Sequence, residues 1–502
     1  MNVITAIHQQ AQTRPDSPAF IRERTVSYGE LMRGVERVAG ALRRAGVARG
    51  DVVALAMPVP FFHIVLTLAV AHLGAVSVAL RADAAPADNE EIAERCAIGY
   101  VVSDDPGFSL RAPGVRAHLH AATLFSVPPD AAPEMAQVDP DDTWRIGFSS
   151  GTTGRAKAMR FPHQGAIVRS HLMRDLFAVR PGDRVAVWMP PGLPFATSYW
   201  LRTLMFGGTL VGPPRRPEAA LEAIRRHAVT ALVTSTGNAM TLARIASRTD
   251  GPLSQPAQTL KFLFIGGASA APALQQLLRR HICPNLHINY GVSEVGMVAL
   301  SDPQLQRADP SCAGRILPWV EVQALDDQGQ PLARGAQGRL RMRSPTMAAG
   351  YVPGFEDPAA APAFRDGWFY SSDTGIVGAD GLLHLSGRAD DVINLGGTKF
   401  DPSHVESVLC EDPAVIQSAV LVLPGRLGQP VLVAAVVASA PLDASALRQR
   451  CRATLGQNMT PSTIVQMDSL PRNAAGKVRR DELAARLQLE LPAATAQQAR
   501  IQ

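Results

Sequence analysis

The sequence predicts an α/β protein. A large N-terminal domain of mainly parallel sheets flanked by helices carries a small β-rich subdomain and is followed by a small α+β C-terminal domain. Three observations carry this expectation. Short apolar strands alternate with helical periodicity over the first half, the pattern of βαβ units and parallel sheet. After about residue 310, strand-like segments separated by polar turns take over. From Ala389 onward a compact mixture of helix and strand begins afresh.

In chain order, DVVALAM (51–57) reads as a strand, and EIAERCAIGYVVSDD (91–105) runs from helix to strand. The stretch Phe61 to Leu80 is as long as a membrane span, but His63, His72 and Gly74 interrupt it and Pro58 and Pro60 precede it. A helix buried on both sides, followed by the strand AVSVAL, costs less than two histidines in lipid, so no membrane span is expected. RVAVWMP (184–190) is a strand, LEAIRRHAVTALVTST (221–236) is helix then strand, and KFLFIGGAS (261–269) is a strand ending in a glycine turn. Beyond residue 310 the strand-like segments are VEVQALDD, GQPL and GRLRMRS. PSHVESVLCED, SAVLVLP, VLVAAVV and ASALRQRCRATL then read as helix, strand, strand, helix. The polar GRADD segment divides a core of residues 1–388, its β-rich part at about 310–388, from a C-terminal domain of residues 389–502. The Ala- and Gln-rich tail after Leu483 reads as frayed helix or disorder.

Composition bounds the function. At 502 residues the chain is long enough for two or three domains with ample core. Its 46% hydrophobic and 19% charged residues are those of a globular protein rather than a disordered one. Net charge is only +5, and no Lys/Arg run would form a stripe for nucleic acid. The five cysteines are dispersed, with no CxxC pair and no His cluster at metal-ligand spacing, as expected of reduced thiols in a cytoplasmic protein. The N-terminus lacks a charged region followed by an apolar one, so no signal peptide is expected.

Four segments carry chemistry. The first, Ser149 to Lys157, reads SSGTTGRAK after an apolar strand. Small residues let successive backbone N–H groups point into one concavity, and Lys157 adds positive charge, as a phosphate cradle requires. It does not align with a Walker A loop, and alone it reads equally as a flexible hairpin. The second, Ile288 to Glu294, reads INYGVSE. It offers an aromatic face, a glycine permitting close approach, a hydroxyl and a carboxylate, a set that suits a nucleotide with Mg²⁺. Alone it reads as an ordinary strand-to-loop turn. The third pairs DGWFYSSDTG (366–375) with GRADD (387–391). There Asp373 could accept ribose hydroxyls and Arg388 could pair with phosphate or sugar oxygens, whereas Trp368 and Phe369 also read as core. The fourth, PRNAAGKVRR (471–480), presents Lys477 on a glycine loop.

All four occur in one order across nearly the whole chain, and with them the sequence resembles the adenylate-forming superfamily. Its members are acyl-CoA synthetases, peptide-synthetase adenylation domains and firefly-type luciferases. The resemblance implies that Ser150, Gly151, Thr152, Thr153, Gly154 and Lys157 embrace the β- and γ-phosphates of ATP. Ala156 and Ala158 stand where the family usually has Pro and Gly. Gly266, Gly267 and Ala268 would lie beside the adenine and the acyl pocket. Tyr290 would stack on the adenine, in a nucleotide site shared with Asn289 and Gly291. Ser293, where Thr is usual, would meet the α-phosphate, and Glu294 would hold Mg²⁺. Asp373 and Arg388 would bind the ribose, Asp390 would be the hinge, and Lys477 would reach over the reacting centre. The small domain would then swing, and Gly396 and Gly397 would admit the thiol of coenzyme A or of a carrier-protein phosphopantetheine. Catalytic roles thus fall to Lys477, Glu294 and Ser293.

The resemblance further places Phe195, Ala196, Gly266 and Met297 in the substrate pocket. Peptide-synthetase domains commonly read Phe-Asp-x-Ser where this chain reads Phe195-Ala196-Thr197-Ser198. Without that Asp a buried α-ammonium would be unpaired, which is costly. The expected substrate is therefore a small non-amino carboxylic acid, and the expected enzyme an acid–thiol ligase. Arg202 either pairs with a second carboxylate of a diacid or faces solvent on its helix, and the solvent-facing arrangement is the expectation. The alternatives are an enzyme loading a carrier protein and a non-catalytic nucleotide-binding relative, the latter opposed by the joint presence of Glu294, Asp373, Arg388 and Lys477. A luciferase-type oxygenase has no positive support.

Overall fold

The computed structural model describes residues 1–498 apart from 82–83, 129–132, 149–156, 215, 357–360, 390, 392, 396–397, 425–428 and 474–475. Within it the chain has the expected α/β architecture. A six-stranded sheet holds Val52–Ala56, Val76–Ala79, Ile98–Ser103, Ala117–His120 and Thr143–Phe148 in parallel pairings, closed by the antiparallel strand Ala158–Pro162. Helix Pro60–His72 is enclosed by protein, with His63 and His72 both buried. No helix among the described residues is long and apolar enough to cross a membrane.

A second sheet, of 14 strands, is parallel on one side. There Arg184–Trp188, Ala231–Ser235, Phe262–Gly266 and Leu286–Val292 lie side by side, joined by helices Thr236–Ser247 and Pro272–His281. Ser235 explains one of these junctions. It ends a strand and caps the next helix, accepting the Asn238 N–H at 3.2 Å.

At Leu286–Val292 the sheet turns antiparallel and continues through Gly296–Ser301, Gly314–Ile316, Leu382–Arg388, Trp368–Val377, Gln337–Arg343 and Glu321–Leu325. The β-rich segment is therefore hydrogen-bonded in line with the parallel strands. Of its three strand-like segments, GQPL forms no strand: a single bridge, Leu325 to Pro331, is all the pairing there. Proline lacks the N–H that a ladder needs.

The C-terminal sheet pairs Val415–Pro424 with Pro430–Ala438, and the latter with Thr463–Gln466. Side chains alternate across a strand. Leu432, Ala434 and Val436 share a cluster with Val405 and Leu409 of helix Pro402–Cys410 and Leu447 of helix Ala444–Leu455. Val433, Ala435 and Val437 share another with Leu242, Leu274 and Leu278 from the helices of the large sheet. Burial on both faces explains the unbroken apolar run VLVAAVV. The tail is helical through Arg480–Gln498, with Leu483 and Leu487 fully buried.

Candidate active site

The large sheet's change from parallel to antiparallel builds one wall of the site. Parallel pairing sets Gly266 beside Asn289. A Cβ on Gly266 would come within 2.8 Å of the Asn289 amide nitrogen, and one on Gly291 within 2.4 Å of the Gly296 carbonyl oxygen. A larger residue at Gly291 would strike backbone, and one at Gly266 would have to displace the Asn289 side chain. Gly267 follows at φ +91°, and the Thr236 hydroxyl donates to the Ala268 carbonyl at 2.9 Å, so the strand-end turn is tied to the neighbouring helix.

Next to this wall, Tyr290 donates its hydroxyl to Asp373 Oδ2 at 2.5 Å, and Arg388 Nη1 donates to Asp373 Oδ1 at 3.1 Å. The antiparallel register that pairs Asp373 with Arg388 explains their meeting. The carboxylate is buried and engaged through both oxygens, yet retains lone pairs for further donors. The Arg388 N–H donates in turn to Asp401 Oδ2 at 2.5 Å. Trp368 and Phe369, on the same strand, are buried core.

Glu294 lies in the turn after Tyr290. Tyr351 donates its hydroxyl to Glu294 Oε1 at 2.8 Å, and the Ala348 N–H donates to the Glu294 carbonyl at 2.8 Å. Burial pushes the Glu294 carboxyl above the ordinary glutamate value, while the Tyr351 hydroxyl and the Lys477 ammonium pull it back. Lys157 sits 5.2 Å over the Tyr351 ring, which brings the end of the SSGTTGRAK segment beside Glu294. Ser293 is half-buried next to it. Tyr351 and Asp401 are site residues that the motifs did not reveal. Tyr351 lies 57 residues beyond Glu294, with no spacing to mark it.

Lys477 comes from the far end of the chain. Its N–H donates to Asn473 Oδ1 at 3.0 Å, and the Asn473 N–H donates to the Lys477 carbonyl at 2.9 Å. Gly476, at φ +83°, lies so close to the Ser235 cap that a Cβ there would approach the Ser235 Cβ to 2.9 Å. The lysine loop therefore rests on the start of helix Thr236–Ser247. The Lys477 ammonium is held below the ordinary lysine value, by burial first and by Arg388 second, with Asp373, Glu294 and Asp391 acting the other way. Lys477, Glu294, Asp373 and Arg388 thus share one electrostatic neighbourhood. Ser150, Gly151, Thr152, Thr153, Gly154, Asp390, Gly396 and Gly397 lie outside the described residues.

Of the residues expected in the substrate pocket, Ala196 is fully buried among Phe177, Tyr199 and Phe264, with half-buried Phe195 and Met297 packed against the cluster. Arg202 corrects an expectation. It is not on a solvent face but 1% exposed, its guanidinium 4.9 Å from the Tyr199 ring. Helix Pro194–Met205 is buried along almost its whole length, so no side of it is free to hold an arginine in water. Arg145 is buried as well; it donates to Thr197 Oγ1 and, at 2.6 Å, to the Gly192 carbonyl.

Two family models match the chain: AMP-binding enzyme over residues 7–352, and AMP-binding enzyme C-terminal domain over residues 404–477. The chain belongs to the AMP-binding enzyme family. This AMP-binding enzyme is 30% identical to a 3-hydroxybenzoate–CoA/4-hydroxybenzoate–CoA ligase of Thauera aromatica, with 93% of each chain covered. It is 27% identical to a 3-hydroxybenzoate–CoA ligase of Aromatoleum, with 94% of each covered. The fold is similar to that of o-succinylbenzoate CoA synthetase from Bacillus subtilis in complex with its acyl-adenylate intermediate. That match has TM-score 0.82 at 23% identity and covers 95% of this chain and 97% of the other.

Proposed function

We propose that this enzyme uses ATP to join a non-amino carboxylic acid to AMP and then passes the acyl group to the thiol of coenzyme A. The observation that carries the proposal is the meeting of Glu294, Asp373, Arg388 and Lys477, from four separate segments, in one electrostatic neighbourhood. In the first half-reaction a carboxylate oxygen of the acid attacks the α-phosphorus and pyrophosphate leaves in line. In the second the thiol, losing its proton, attacks the acyl carbonyl and AMP leaves. No covalent enzyme intermediate is needed.

Each group has a task that its surroundings suit. Tyr290 offers its ring to the adenine, held in place by its bond to Asp373. Asp373 has lone pairs left for ribose hydroxyls. Lys157 and Lys477 supply positive charge on the phosphate side, where displacement at phosphorus depends on positioning and charge neutralisation. Mg²⁺ fits at Glu294, a buried hard carboxylate beside the Ser293 hydroxyl, since Mg²⁺ binds through one or two carboxylates together with phosphate oxygens. When bound it would neutralise phosphate charge.

The proposal includes the hinged organisation, with a core of residues 1–388 and a mobile domain of 389–502 turning at Asp390. An arrangement with Lys477 close to Glu294 and Asp373 is the one suited to adenylation. Gly396 and Gly397 would line the thiol path after the swing. The buried Arg145, beside Thr197, supports a non-amino acid. A cation there repels an α-ammonium, where peptide-synthetase domains commonly place an Asp. Coenzyme A as acceptor is supported by the hydroxybenzoate relatives, which are named as CoA ligases. Five unpaired cysteines suit a cytoplasmic setting. The test is pyrophosphate release over a panel of carboxylic acids and amino acids, with and without coenzyme A. Release and thioester formation with simple acids are expected. Release confined to α-amino acids would overturn the proposal.

A further inference from the structure

Strand Thr143–Phe148 and helices His163–Leu172 and Pro194–Met205 converge behind the acyl side of the site, and each brings one arginine: Arg145, Arg169 and Arg202. A cleft opens beside two of them, lined by Arg145, Arg169, Ser198 and Met347, and Arg202 lies close enough to Arg169 for the two guanidiniums to repel. Arg145 is bonded to Thr197 and Gly192. Arg169 donates to Ser198 Oγ at 3.3 Å and to the Thr346 carbonyl at 2.5 Å, but its Nε has no hydrogen-bond partner among the described residues. Arg202 has none for Nε or Nη1, and the hydroxyl of Tyr199, whose ring lies under that guanidinium, has none either.

No carboxylate among the described residues forms an ion pair with any of the three guanidiniums. Burying one unpaired cation is costly, and burying three close together is more so. The strain is legible in their basicity. Burial lowers Arg145 to about 9 and Arg169 and Arg202 to about 10, with Arg169 further lowering Arg145 and Arg202 further lowering Arg169. The position of the unpaired donors is specific. Arg169 packs on Gly296, where its guanidinium carbon would lie 3.1 Å from a Cβ, and Gly296 adjoins Met297 and is two residues from Glu294. Tyr199 meets Phe195 edge-on at 5.1 Å. The unsatisfied donors therefore stand beside Phe195 and Met297, two residues proposed for the acyl pocket.

We propose that the acid activated by this enzyme carries a second anionic group, a carboxylate, remote from the one that reacts, and that Arg169 and Arg202 receive it. The inference rests on the ligase reading above and narrows its substrate class to dicarboxylic acids. Their second charge completes a protein site left one anion short. A guanidinium matches a carboxylate bidentately, and the neighbouring Tyr199 hydroxyl adds a third donor.

The test compares matched pairs of acids on one carbon skeleton, one bearing a second carboxylate and the other a carboxamide in its place. With wild-type enzyme, ATP and coenzyme A, kcat/KM for pyrophosphate release should favour the dicarboxylate by about 10²-fold, the scale for leaving a buried charge unpaired. Arg202→Met should erase that preference by slowing the dicarboxylate, with a cooperative melting transition reporting that the variant is folded. If Arg202→Met does not fold, the wild-type comparison decides alone. A wild-type enzyme that prefers the carboxamide, or treats the pair alike, overturns the inference and leaves the ligase reading standing. No turnover of any acid overturns both. An inorganic anion is the other possible occupant. A melting temperature raised by chloride or phosphate as much as by the dicarboxylate would show the arginines holding a free ion, and would also overturn it.

Discussion

The nucleotide side and the acyl side of this site handle buried charge in opposite ways. Around Glu294 and Asp373 the buried groups have protein partners: Tyr351 for one, Tyr290 and Arg388 for the other. Around Arg169 and Arg202 buried donors are left without partners among the described residues. The first region is organised before any ligand arrives, as electrostatic stabilisation of a displacement at phosphorus demands. The second is completed by what it binds. A common cosubstrate is met by a finished surface, and the variable substrate by an unfinished one.

If the nucleotide side is preorganised for chemistry, removing its mobile cation should have the largest effect. Lys477→Ala should slow acyl-AMP formation by about 10²–10³-fold while still converting supplied acyl-AMP and coenzyme A to thioester. Single-turnover product analysis, started once from acid plus ATP and once from synthetic acyl-AMP plus thiol, separates the two. Equal loss of both half-reactions in a folded variant would remove Lys477 from a role limited to adenylation.

Glu294→Gln sharpens the comparison by dissociating function from stability. Activity should fall by about 10²-fold and recover partly at high Mg²⁺, because the amide is a weaker ligand for a hard cation. Stability should move the other way. Burial raises the Glu294 carboxyl above its unfolded value, so folding favours the neutral form. That contribution is present below the unfolded value and is lost as pH rises through the folded one. At neutral pH the ionised carboxylate is a cost that glutamine lacks. The ligand-free variant should melt higher than wild type at pH 7, with the difference vanishing in acid. A lower melting temperature at pH 7 would show that the partners of Glu294 outweigh the cost of burying its charge.

Asp373→Asn tests the other paired group. It weakens the bond from Arg388 and the acceptor proposed for the ribose, so KM for ATP should rise about tenfold, the loss of one charge-assisted hydrogen bond. The acid's KM should change little. An effect confined to the acid would place Asp373 on the wrong side of the cleft.

The same contrast explains what could be read from sequence. The alternation of strands and helices was legible because runs such as KFLFIGG and VLVAAVV keep a period or an unbroken apolar face. The INYGVSE, SSDTG and NAAGK segments were legible as chemistry because each packs several functional residues into a few positions. Arg202 was not. Its helix, PFATSYWLRTLM, is buried on nearly every side, and amphipathic periodicity has no polar stripe from which to place an arginine. Tyr351 and Asp401 were missed for a different reason. Each meets its partner only through the fold, Tyr351 across 57 residues and Asp401 across 13, and a lone tyrosine or aspartate carries no signal of its own. GQPL looks strand-like by composition, but its proline lacks the donor that a ladder needs.

The narrowest expected effect, confined to acid pH, comes from the bond that finishes the nucleotide side. Tyr351→Phe keeps the ring beneath Lys157 but removes the hydroxyl that donates to Glu294 at 2.8 Å. That bond stabilises the charged carboxylate and so opposes the rise caused by burial. Without it the Glu294 carboxyl should titrate higher still, and the acid limb of the kcat/KM profile should move to higher pH. A hydrogen bond to a charged group is worth about 1.5–3 kcal/mol. On the acid side the variant should therefore be about tenfold or more slower than wild type. At alkaline pH, where Glu294 is ionised in both, the two should converge. Lys477, held below the ordinary lysine value, sets the other limb, where activity falls as the ammonium deprotonates. That limb should not move, since the Tyr351 hydroxyl bonds Glu294 and, among the described residues, no hydrogen bond joins it to the lysine loop. A profile lowered evenly at every pH would mean that the hydroxyl serves packing alone. An acid limb that stays in place would show that Glu294 does not control it.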